Sequence, residues 1–202
     1  MYCEKCGTEL SENAKFCISC GKVVSNVAEE QTLAKTEYFS VSSARLITLS
    51  ILTFNLYELY WFYKNWHAVK DAQSADISPF WRAIFSIFFC HDFFKRALRS
   101  ANEHGYDSNA YSPGWLAGAY VILLFIGNVL GRIDIADGAY LFWFLVVLIL
   151  TPLPLLPVQR AINYNNARIK VKEREAGTFT TGEVILIIIG IILMGLIVFS
   201  SL

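Results

Sequence analysis

The chain has 202 residues, with 17 basic and 17 acidic side chains. Its overall charge therefore offers nothing that would hold a polyanion or select an acidic substrate. Apolar residues make up 55% of it and mean hydropathy is +0.44, which excludes an ordinary water-soluble globule, because the excess apolar side chains need a second solvent.

The first element is a cysteine cluster. Cys3, Cys6, Cys17 and Cys20 form C-x2-C-x10-C-x2-C, while the fifth cysteine, Cys90, stands alone in SIFFCHDFF. Two residues between cysteines turn both sulfurs onto one ion, and the ten-residue spacer allows a short hairpin to bring the second knuckle opposite the first. Four thiolates close a tetrahedral shell, so the expected metal is one structural zinc ion with no open position for catalysis. An iron site of rubredoxin type and a redox CxxC pair are the alternatives. Gly7 and Gly21 follow the second cysteine of each pair, where a knuckle favours positive φ. Only Tyr2, Leu10, Phe16, Ile18 and Val23 are available to pack, so metal binding must supply most of the folding free energy. MYCEKCGTEL has neither the basic start nor the apolar run of a secretory signal, and thiolates persist in a reducing cytosol.

The stretch YCEKCGTELSENAKFCISCGK resembles the bacterial zinc-ribbon domain, with its paired CxxCG knuckles and Ala-Lys-Phe before the second. All four ligand positions match. The resemblance implies a small protein-contacting or nucleic-acid-contacting module, often fused to membrane segments. Within residues 1–24, Lys5, Lys15 and Lys22 are balanced by Glu4, Glu9 and Glu12, and a four-thiolate zinc site adds about two negative charges. A non-basic head cannot release counterions from phosphates, so protein contact is favoured over nucleic acid.

Residues 25–43 are polar and lack sustained periodicity, and are expected to form a linker that gives the head reach. The remaining residues, 44–202, contain five apolar runs at 44–63, 79–98, 113–131, 139–158 and 183–202. The last three approach the roughly 20 residues needed to cross hydrocarbon. The expected fold is thus a small zinc ribbon joined to an α-helical integral membrane domain with three to five membrane-embedded helices. Ser78-Pro79 and Ser112-Pro113 place a hydroxyl before a first-turn proline, and Thr180-Thr181-Gly182-Glu183 reads as a capping box. Trp81 and Trp115 fall where interface anchors belong, and Pro152, Pro154 and Pro157 should kink the fourth run. The pairs Gly114/Gly118 and Gly127/Gly131 favour close helix packing, within the chain or between copies as a homo-oligomer.

Basic residues cluster before the first run, after the second and between the fourth and fifth. Models with five or three crossings keep most of them on the N-terminal side, whereas four crossings do not. The positive-inside rule then gives a multi-pass protein of the cytoplasmic membrane, N-terminus in the cytosol and C-terminus outside. The pattern YxLYWFYKNWxxVK, SPFWRAIF and INYNNA also resembles a bacterial multi-pass membrane protein family of unknown function, which implies no activity.

Two ionisable groups in the apolar runs need assignment. Glu58 is a candidate intramembrane functional residue, or else an interfacial carboxyl in an aromatic belt formed by Tyr57, Tyr60, Trp61, Tyr63 and Trp66 on a membrane-surface helix. Asp92 is expected to pair with Lys95 and Arg96 on an amphipathic helix and not to join Cys90 and His91 in a metal site. No GxSxG, HExxH, Walker or GxGxxG motif occurs, so no enzyme is expected. The reading is a membrane-anchored zinc-ribbon protein serving interaction, scaffolding or sensing, with the bilayer and another protein as partners. A small oligomeric transporter or channel, with Glu58 or the proline-broken fourth helix on its path, is the alternative.

Overall fold

The computed structural model describes residues 2, 6–9, 17, 19–20, 37–73, 76–130, 132, 137–169 and 179–200. Eight helices are found among these: α1 Ser43–Leu52, α2 Leu56–Gln73, α3 Pro79–Ile84, α4 Ser86–Asn102, α5 Pro113–Leu130, α6 Asp137–Leu150, α7 Leu155–Arg168 and α8 Thr181–Ser200.

The first apolar run is not one spanning helix. α1 ends in a turn where Phe54 and Asn55 take φ of 50° and 65°, a conformation costly for side chains other than glycine. Thr53 makes the break tolerable. Its hydroxyl donates to the Leu49 carbonyl at 2.7 Å and accepts from the Tyr57 amide at 2.9 Å, satisfying a group that the restarting helix would leave bare. The second run is likewise split at Phe85, between α3 and α4. Pro79 occupies the first turn of α3, but the Ser78 side chain makes no cap bond there. Ser112 does cap, accepting from the Trp115 amide at 3.4 Å.

The fourth run becomes α6 and α7, joined through the turn at 151–154 that holds Pro152 and Pro154, while Pro157 lies in the first turn of α7. By length and composition, Pro113–Leu130 and Phe142–Arg168 could each cross a membrane, while Ser43–Leu52 and the described portion Thr181–Leu193 are shorter apolar helices. Two stretches therefore meet the criterion where three to five were expected. At α8 the capping box is present: Glu183 N donates to Thr180 Oγ1 at 3.2 Å, and Thr180 N donates to Glu183 Oε2 at 2.8 Å.

The core is aromatic. Trp61, Phe62 and Trp66 of α2 close on Phe93 of α4 with ring centroids 5.3, 5.9 and 5.5 Å away, and each such pair adds about 0.5–1.5 kcal/mol to the burial of its surface. Tyr57, Trp61 and Trp66 are completely buried, which corrects the expected interfacial belt. Four-residue steps carry Tyr57, Trp61, Asn65 and Val69 along one buried face of α2. The opposite face, with Leu59, Tyr63, His67 and Lys70, is exposed. α4 packs between α5 and α7, α2 runs along α3, and α8 touches α1 and α2. A Cβ on Gly190 would strike the Leu52 carbonyl, so that residue lets α8 approach the α1–α2 turn. Of the expected small-residue steps, Gly127 faces Val147 of α6, whereas Gly118 has nothing near it; Gly131 lies outside the described residues.

Much of the polar chemistry is internal. Asn166 of α7 accepts from the Tyr38 amide at 3.2 Å and donates to the Tyr38 carbonyl at 2.7 Å. Asn163 donates to the Val41 carbonyl at 3.0 Å, and Asn65 of α2 accepts from the Phe39 amide at 3.0 Å. Residues 38–41, expected to belong to the linker, are thus stitched to the helical body by side-chain amides. Conversely, large apolar side chains on α4, α5, α6 and α8, including Phe88, Trp115, Phe125, Phe142 and Ile191, are more than half exposed.

Candidate metal centre

The described head residues include the turn of the first knuckle and two cysteines of the second. Tyr2 and Glu9 form an isolated antiparallel bridge, and the turn between them carries Cys6 and then Gly7 at φ 70°, the left-handed geometry glycine adopts without strain. Cys17 and Cys20 come from the second knuckle, Cys17 almost fully buried and Cys6 exposed.

The Sγ atoms of Cys6, Cys17 and Cys20 all lie within 4.8 Å of one another, with Cys6 and Cys17 at 3.5 Å. Sulfurs about 2.3 Å from a tetrahedral zinc stand roughly 3.8 Å apart, so these three fit one ion. Cys3, expected as the fourth ligand, and Gly21 lie outside the described residues. The Cys6 sulfur also sits 3.2 Å from Thr8 Oγ1. Hydrogen bonds from the Thr8 side chain, and then from its backbone, pull the Cys6 thiol from 9.0 down to about 6, against the opposing effect of burial. A thiolate is the form a metal needs. With three sulfurs surrounding one point, the arrangement suits structural zinc.

Cys90, His91 and Asp92 have separate surroundings. Cys90 is buried and its thiol faces the Ile87 carbonyl, while neighbouring His91 is exposed. Asp92 binds Arg96 at 3.1 Å, as expected, and Arg82 of α3 at 3.5 Å. Arg82 also lies 4.3 Å over the Trp66 ring. Glu58 is not interfacial. It is 1% exposed, with the Tyr120 hydroxyl of α5 against it.

Sequence reasoning missed Tyr120, and with it Ser86 beside its hydroxyl. It also missed the Asn163 and Asn166 clamp. The cluster INYNNA in a half-apolar helix was the available signal, since amides there require partners.

A family model of the zinc-ribbon domain matches residues 2–24. No curated protein and no solved structure matches the chain. The N-terminus is therefore a zinc-ribbon domain with three described cysteines placed for one metal ion, followed by a mostly helical body with two stretches of membrane-crossing length.

Proposed function

We propose that the chain is a membrane-anchored interaction module, in which the zinc ribbon is a cytosolic docking element and the helical body holds it at the bilayer. One observation carries the membrane reading. Only 11% of the apolar helix Pro113–Leu130 is buried, so it is not the hidden core helix of a soluble protein. Trp115 at 79% exposure and Phe125 at 69% face a surface that water would penalise by about 25 cal/mol per Å². Lipid is the solvent that suits it.

With Cys3 as the expected fourth ligand beside Cys6, Cys17 and Cys20, a four-thiolate site would leave no position for substrate, and this supports docking over catalysis. The balanced charge of the head supports a protein partner.

The test is crosslinking of the full chain in native membranes, beside a Cys17→Ser/Cys20→Ser variant. The intact chain should stay with the membrane fraction through an alkaline wash, retain one zinc per chain and crosslink to a protein set that the variant loses. Release into the soluble fraction defeats the anchoring half. An identical crosslink pattern with and without the two cysteines defeats the docking half.

A further inference from the structure

Two carboxyls are buried among the described residues, and their surroundings are opposite. Glu183 is fully enclosed but accepts from Thr180 N and Oγ1, Tyr57 and Arg45. Glu58 is 1% exposed, and its Oε1 has no hydrogen-bond partner. The group facing it is the Tyr120 hydroxyl from α5. Behind that hydroxyl stand Ser86 and Cys90 of α4, neither of which supplies positive charge.

Three cations on the packed elements point elsewhere, the first being Arg96 of α4, which is directed to Asp92. Arg82 of α3 is directed to Asp92 and the faces of Trp66 and Phe89. Arg45 of α1 is directed to Glu183 of α8 and the Phe179 ring. An ionised carboxylate enclosed without a counter-charge costs several kcal/mol, whereas the acid form donates its own proton and fits.

We propose that Glu58 is a reversible proton-binding site: a carboxylic acid that releases its proton to water at the α1–α2 turn and regains it from there. The step is a proton transfer alone, acid to carboxylate plus hydrated proton, and it needs no co-reactant. At that turn, short of Glu58 itself, lies a cavity of about 240 Å³ lined by Phe54, Asn55, Leu124, Gly127, Val147 and Thr151. Asn55 lies one helical turn ahead of Glu58, and its Oδ1 is buried without a partner, a foothold for water.

The test is infrared difference spectroscopy of the full chain in phospholipid vesicles, titrated from mildly acidic to alkaline pH. A protonated-carboxyl carbonyl band is expected that disappears on alkalinisation, is absent in Glu58→Gln and persists in Glu183→Gln. In Tyr120→Phe, which keeps the carboxyl but removes the hydroxyl that would donate to its anion, the band should persist to more alkaline pH. A band that survives Glu58→Gln, wild-type and Glu58→Gln spectra that coincide at every pH, or a midpoint unmoved in Tyr120→Phe overturns the assignment.

Discussion

Removing Glu183 should unfasten α8 from the start of the helical body. Its Oε2 lies 3.4 Å from Arg45 Nη2 and 2.8 Å from both Thr180 donors, while Oε1 accepts from Tyr57 at 3.0 Å. At 3.4 Å and an effective dielectric near 20, the Arg45 attraction alone is about 5 kcal/mol before desolvation. Measured losses on breaking buried pairs run to about 3–5 kcal/mol, and Arg45, 18% exposed, regains part of this by hydration. Adding about 1 kcal/mol for the cap, Glu183→Ala should lose roughly 4 kcal/mol. The assay is denaturant unfolding in detergent, followed by tryptophan fluorescence, for Glu183→Ala, Arg45→Ala and the double variant. A coupling of about 2–3 kcal/mol is expected from the cycle. A coupling below about 0.5 kcal/mol would refute the view that these two charges hold α8 in place, and would reduce Glu183 to an ordinary cap.

Acid should strip the metal head. With the Cys6 thiol lowered from 9.0 to about 6, the thiolate gains its advantage as pH rises above 6 and loses it as pH falls through 6. Zinc transfer to a chromophoric chelator should therefore steepen below that point, and Thr8→Val should move the midpoint to higher pH; an unmoved midpoint removes Thr8 from the account. Asn166→Leu removes the two hydrogen bonds from the side-chain amide to the Tyr38 N–H and carbonyl, at about 0.5–1.5 kcal/mol for each. Hydrogen exchange and proteolysis at residues 38–41 should accelerate while the aromatic core stays folded, and unchanged protection there would count against the clamp.

What could be read in advance was what depends on neighbours in sequence. The cysteine spacing announced the metal head because a knuckle is local, and Thr180 with Glu183 announced a helix start for the same reason. The aromatic stretch after Asn55 misled because helical periodicity reports a continuous face without saying whether lipid or protein covers it. Trp61 and Trp66 look alike as belt residues and as core residues until Phe93 arrives from another helix. The same holds for the polar groups. Asn166 finds its partner 128 residues away, and Glu58 acquires its chemistry from Tyr120, so no window along the chain contains either pair. The breaks at Phe54 and Phe85 were hidden because neither carries the glycine or proline that usually marks a helix end.

The amide stitching of residues 38–41 also sets a radius. From Cys20 to Tyr38 is a covalent distance of 18 residue steps, and at a full extension of about 3.5 Å per step no arrangement of that chain can carry the metal centre more than about 63 Å from its mooring. Whatever the head engages must come within that circle of α7. On the proposed reading of a membrane-held docking head, partners would be chosen by neighbourhood as well as by fit, and a protein held in the same patch of membrane would meet the head at an effective concentration that a freely diffusing one could not match.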